Sequence, residues 1–113
     1  VFEQVYGPEH YEVAVNLNNL AAVYHVRGEP EAAEPLYRRA LALKEKLLGP
    51  DHVDVALTLS NLAALCHAQG RTTEAAPLYQ RALAIGEPAL GPHHPRVLAW
   101  REDYAALRQG HPA

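Results

Sequence analysis

The side chains best suited to chemistry in this chain are seven histidines, a single cysteine and a scatter of asparagines, serines and carboxylates. His10, His52 and His94 each close a Gly-Pro-x-His run, so they are one structural motif used three times, suited to helix capping or local packing. His93 and His94 are adjacent, which is poor geometry for two ligands on one helix face. His25 and His67 hold matching places 42 residues apart and could approach one another if their helices lie side by side at roughly 10 Å. Two imidazoles without a neighbouring cysteine or carboxylate make a weak zinc site, and no metal or other cofactor is expected. No serine, threonine or cysteine stands in a recognisable nucleophile setting, and no glycine-rich phosphate loop follows a strand. Cys66 falls in an apolar stripe and reads as a small buried hydrophobe. The chain by itself is not expected to be an enzyme.

Bulk properties narrow the classes further. The 113 residues are enough for one domain with one core. Apolar residues make up 49% of the chain, dominated by Ala and Leu, which favours helix over sheet because these residues lose little freedom on entering a helix. A formal charge of −3 and an isoelectric point near 6.1 provide no footprint for a nucleic-acid partner. One cysteine cannot form an intramolecular disulfide, so nothing requires an oxidising compartment and a cytoplasmic setting is expected. No apolar run approaches the roughly 20 residues needed to cross a bilayer, and the first residues lack a basic-then-apolar signal pattern, so no membrane partner is expected.

The elements that position these groups come from a repeat. Gly7, Gly49 and Gly91 stand 42 residues apart, opening "GPEHYEVA", "GPDHVDVA" and "GPHHPRVL". Residues 7–48 and 49–90 align without a gap and agree at more than half of their positions. Residues 91–113 begin a third copy and serve as a partial repeat or capping helix, while 1–6 match the tail of an earlier one. Within a copy, Val13, Leu17, Leu20, Ala21 and Tyr24 form one stripe of a 3.6-residue helix. Ala33, Leu36, Tyr37, Ala40, Leu41, Leu43 and Leu47 form a second. Each copy is thus a helix pair.

Gly28 and Gly70 suit the turn inside each pair, and Gly49-Pro50 with its equivalents at Gly7 and Gly91 suits the joint between pairs. Either Asp51 or His52 can cap the helix that follows, Asp54 favours its dipole, and Pro95 suits a first helical position. Pro35 and Pro77 fall early in second helices and should bend them slightly, and Gly86 with Pro88 should make the helix before Gly91 fray or stop early. In the third copy Arg101, Tyr104 and Arg108 replace apolar positions, as a solvent-facing cap would, with Val97, Trp100, Tyr104 and Leu107 keeping a shifted stripe. A hairpin of this kind cannot bury its apolar face alone and needs a neighbour, which makes the fold an all-α solenoid of antiparallel helix hairpins.

The pattern L-x-N-L-A-x-x-x-x-x-x-G followed by A-x-x-L-Y-x-R-A-L resembles the tetratricopeptide repeat across essentially the whole chain. The 42-residue period with "LGPDH" resembles the long variant of kinesin light chains. The resemblance implies a right-handed superhelix with a concave face built from first helices, used to bind a protein or peptide segment. It implies small residues at Ala21, Ala63, Ala33, Ala75, Ala40 and Ala82, with Tyr37 and Tyr79 filling the space between hairpins. On the concave face it puts Asn18, Ala22 and His25, with Val15 and Val26, then Ser60, Ala64 and His67, with Leu57 and Ala68. Asn19 and Asn61 match the family asparagine whose amide holds a bound peptide backbone, a task suited to a group that both donates and accepts. Where family members that clamp acidic C-termini carry Lys or Arg, this chain has Asn18, Ser60 and Glu102, then Ala22, Ala64 and Ala106. The expected groove is therefore neutral and favours apolar anchors. The alternative is a structural spacer or an end-to-end homo-oligomer joined through the apolar Val1, Phe2, Val5 and Tyr6.

Overall fold

The computed structural model describes the backbone of residues 2–110 and the side chains of residues 11–110. Five helices follow one another: α1 (Phe2–Val26), α2 (Pro30–Leu48), α3 (Val53–Ala68), α4 (Thr72–Leu90) and α5 (Pro95–Arg108). Each packs against the next in sequence, giving an all-α solenoid of helical hairpins. In addition α1 touches α3 and α3 touches α5, whereas α2 and α4 do not approach closely through their backbones. The first helices therefore crowd together on one side and the second helices splay apart on the other.

Two kinds of glycine turn produce this layout. Gly28 and Gly70 close the hairpins at φ +78° and +76°, and the next residue's N–H reaches back to Tyr24 O or Cys66 O at 2.8 Å. Gly49 and Gly91 close the joints at φ 96°, ψ 155° and φ 97°, ψ 153°, an extended region open essentially to glycine alone. The chain then turns sharply into the next helix, whose start is capped by histidine. Nδ1 of His52 accepts from the Asp54 N–H and Nδ1 of His94 from the Arg96 N–H, each at 3.1 Å. Between the two capping candidates Asp51 and His52, the histidine does the work, and Pro95 opens α5 as its fixed φ suits.

Half-exposed arginine contacts bridge neighbouring elements at the joints. Arg81 of α4 pairs with Glu45 of α2 at 2.6 Å and donates to the Pro50 carbonyl at 3.1 Å. Arg101 of α5 repeats the device, pairing with Glu87 at 2.6 Å and donating to Pro92 O at 3.0 Å. At the opposite end of the hairpins Arg71 forks onto both carboxylate oxygens of Glu34 at 2.6 and 2.9 Å.

The small-residue positions are core: Ala21, Ala33, Ala40, Ala63, Ala75 and Ala82 are fully buried, and Tyr37 and Tyr79 nearly so. Val97, Trp100 and Leu107 are buried with Tyr104 packed beside them, the shifted stripe expected of the last helix. Arg108 lies over the Tyr104 ring at 5.7 Å.

Two expectations are corrected. The joint at Gly7-Pro8 does not form, and α1 runs through it as one helix. Gly49 and Gly91 each follow a second helix that packs on the helix after the turn. The helix before Gly91 neither frays nor stops: α4 continues through Gly86 and Pro88 to Leu90. A Cβ at Gly86 would lie 2.6 Å from Cζ3 of Trp100, so the glycine is where the indole packs onto the helix. Val13 and Leu20 of the first stripe are 37% and 45% exposed, since among the described residues no second helix packs on that side of α1. The side chains of His10, Phe2, Val5 and Tyr6 lie outside the described residues.

Candidate functional site

The eight residues expected on the groove fall on α1 and α3, the two adjoining first helices, and the structure treats them unequally. Asn19 is exposed, while Asn18, Ala22, His25, Asn61 and Ala64 are half-buried. Ser60 and His67 are buried. Helix geometry explains the pattern: α3 has neighbours on both sides, and α1 has one side open.

A small polar cluster joins the two helices. Oδ1 of Asn18 accepts from the Thr58 hydroxyl at 3.2 Å and from Nδ2 of Asn61 at 3.3 Å. Thr58 is fully buried, so its hydroxyl needs this partner. Asn61 thereby spends one donor inside the scaffold and keeps its carbonyl and second N–H. Its equivalent one copy earlier, Asn19, stands on open surface. The Ser60 hydroxyl donates to Leu57 O at 2.8 Å within its own helix. His67 meets the Tyr79 ring edge-on at 6.3 Å, so it packs toward the second helix of its hairpin.

Charge is scarce on this surface and concentrated at its flanks. Asp103 is exposed, and partial desolvation by its neighbours raises its carboxyl above the ordinary aspartate range, with His67 opposing the shift. Burial also pushes the Cys66 thiol and the Tyr79 phenol upward, which makes Cys66 inert as a nucleophile. Among the described residues no cluster of three His, Cys, Asp or Glu converges as a metal site. No described helix is long and apolar enough to cross a membrane. A separate open depression of about 510 Å³ lies between the α2–α3 joint and α4, lined by Asp51, Arg81, Ala84, Ile85, Pro88 and Ala89.

Two residues of consequence escape sequence reasoning. Thr58 replaces an asparagine of the previous copy and looks like an ordinary surface position, although it is buried and donates to the Asn18 side chain across the helix contact. Lys44 reads as the polar face of α2 but is buried, and burial lowers its amine below the usual lysine range while Asp54 opposes that shift. The matching glycine at position 86 was a signal that this place is crowded.

Stacked two-helix units, alanines at the helix contacts, one tyrosine in each second helix and a positive-φ glycine at every described turn define a helical-repeat scaffold. The family model for the tetratricopeptide repeat matches residues 1–46, 12–87 and 54–112, and the chain belongs to that family. Repeats of this family generally mediate protein–protein interaction. No curated protein matches the chain.

Proposed function

We propose that the chain is a non-enzymatic interaction module that binds a peptide or partner-protein segment on the face formed by the first helices, and that its repeats are of the 42-residue kinesin-light-chain type. The observation that carries this reading is the asymmetric packing: α1 touches α3 and α3 touches α5, while the backbones of α2 and α4 stay apart. A stack built this way curves toward its first helices, and the inside of the curve is where an extended or helical segment gains contact from several units at once. The exposed amide of Asn19, the remaining polar atoms of Asn61 and the small side chains of Ala22 and Ala64 supply backbone recognition and close approach. His25 belongs to the same set of positions, with Asn18, Ser60 and His67 on the same two helices. With Asn, Ser and Ala in place of a basic row, the segment is held by apolar anchors and amide hydrogen bonds, so its binding depends weakly on salt.

The test is selection of binders from a displayed random-peptide library on the wild-type chain, then on an Asn19→Arg/Ala22→Arg variant. Both changes sit on accessible α1 positions and leave the Asn18–Asn61 bond intact. Enriched peptides that lose the variant and persist at high salt support the reading. Peptides that bind both proteins equally place recognition elsewhere.

A further inference from the structure

The α2–α3 joint and α4 bound the open depression of about 510 Å³, so its walls belong to two neighbouring hairpins inside the array. Its wall along α4 is apolar: Ala84, Pro88 and Ala89 are exposed there beside Ile85, which is 5% exposed. Two acceptors among the lining residues lack a donor. Asp51 is exposed and makes no ion pair or side-chain hydrogen bond among the described residues. Pro88 stands inside α4 and has no N–H, so the carbonyl of Ala84, four residues before it, is left without its helical partner. The cation of the lining, Arg81, is already neutralised by Glu45 at 2.6 Å and donates to the Pro50 carbonyl at 3.1 Å. The depression thus carries one negative charge in excess. Forty-two residues earlier the acid is retained as Glu9, but the residue matching Pro88 is Lys46. The second copy keeps the acid, loses the cation and gains an orphaned carbonyl.

We infer that this depression is a docking site for an arginine side chain of a partner protein. A guanidinium carries five N–H donors in a planar fork, enough to serve both the Asp51 carboxylate and the Ala84 carbonyl. Its aliphatic stem finds an apolar bed in Ile85, Pro88 and Ala89. A lysine ammonium is a compact and strongly hydrated point charge, which suits one acceptor better than two held on different elements. An anionic group would meet the excess negative charge, and an aliphatic group would strip water from both acceptors without replacing its hydrogen bonds. The site shares no residue with the first-helix face, so it stands or falls independently of recognition there.

The probe is N-acetyl-arginine methylamide, titrated into the whole chain and followed by backbone amide chemical shifts. The expected result is a saturable change centred on Asp51, Ala84, Ile85 and Ala89 that weakens as salt is added. The citrulline analogue, which keeps the shape and loses the charge, should bind about tenfold more weakly, and the lysine analogue should also bind more weakly. Asp51→Asn should weaken arginine binding about fivefold. Pro88→Ala returns an N–H to the Ala84 carbonyl without changing any charge, and should weaken binding about threefold while raising the melting temperature. Glu31→Gln, at an exposed acid in the first turn of α2, should leave binding unchanged. Circular dichroism checks that each variant folds, and the three small probes carry the test without touching the chain. No saturable change at the depression, equal binding of the citrulline or lysine analogue, or undiminished binding to Asp51→Asn or Pro88→Ala overturns the inference.

Discussion

Replacing Gly86 by alanine separates helix propensity from packing. In an unobstructed helix the exchange stabilises by roughly 0.5–1 kcal/mol, because glycine loses more backbone freedom on folding. Here the new Cβ would lie 2.6 Å from Cζ3 and 3.3 Å from Cε3 of Trp100. The indole is 6% exposed and shares a core with Ala82 and Ile85, so it cannot swing aside freely. Overpacking of this kind costs about 1–3 kcal/mol. The net expectation is a loss of about 1 kcal/mol, or a Tm lower by about 4–8 °C. In a Trp100→Leu background the obstruction is gone, and the same Gly86→Ala change should stabilise by about 0.5–1 kcal/mol. Thermal and urea unfolding of the four proteins, followed by circular dichroism, gives the coupling directly. A Gly86→Ala protein with a raised Tm, or one with the same effect in both backgrounds, refutes the close packing of Trp100 on α4.

Leu62→Ala should cost about 2–5 kcal/mol, whereas Leu20→Ala at the equivalent but 45% exposed position should cost under about 1 kcal/mol; denaturant unfolding of both tests whether burial rather than repeat position sets the loss. Gly49→Ala should destabilise by about 1–3 kcal/mol, since alanine is forced to φ +96° with open space around its Cβ, and calorimetry reads it. Glu34 is held at about 2 by its hydrogen bonds to Arg71, against an ordinary 4.5. Its folded pKa is depressed, so its stabilisation is complete above pH 4.5 and is lost as pH falls toward 2, about 1–2 kcal/mol after allowing for solvent screening. Wild-type stability should therefore decline across that window more steeply than that of Glu34→Gln, as urea midpoints against pH would show.

Much of the fold is legible in the sequence because the repeat states it twice. The positive-φ joints at Gly49 and Gly91 and the hairpin turns at Gly28 and Gly70 follow from periodicity and from the glycine that ends each stripe, and the alanine contacts from the resemblance to the tetratricopeptide repeat. What periodicity does not reveal is which stripe finds a cover. Val13 and Leu20 share the pattern of Val55 and Leu62, yet one pair is exposed and the other buried, because the difference lies in the neighbouring helix and not in the residues. Gly7 likewise carries the motif of two real joints, yet α1 runs through it as helix. Gly86 and Lys44 occupy equivalent places and read as a helix breaker and a surface charge. Side-chain size across a helix contact governs both, with Trp100 opposite the glycine. For the candidate site, position was legible and availability was not: Ser60 and Asn61 are neighbours in sequence, one turned onto its own helix and the other onto Asn18.

The central claim, that recognition occurs on the first-helix face, is tested most directly by backbone amide chemical-shift mapping of the whole chain titrated with a library-selected peptide. The account predicts changes concentrated at Asn19, Ala22, His25, Asn61 and Ala64 on α1 and α3. Changes confined to α2, α4 or the Asp51–Arg81 depression would contradict it.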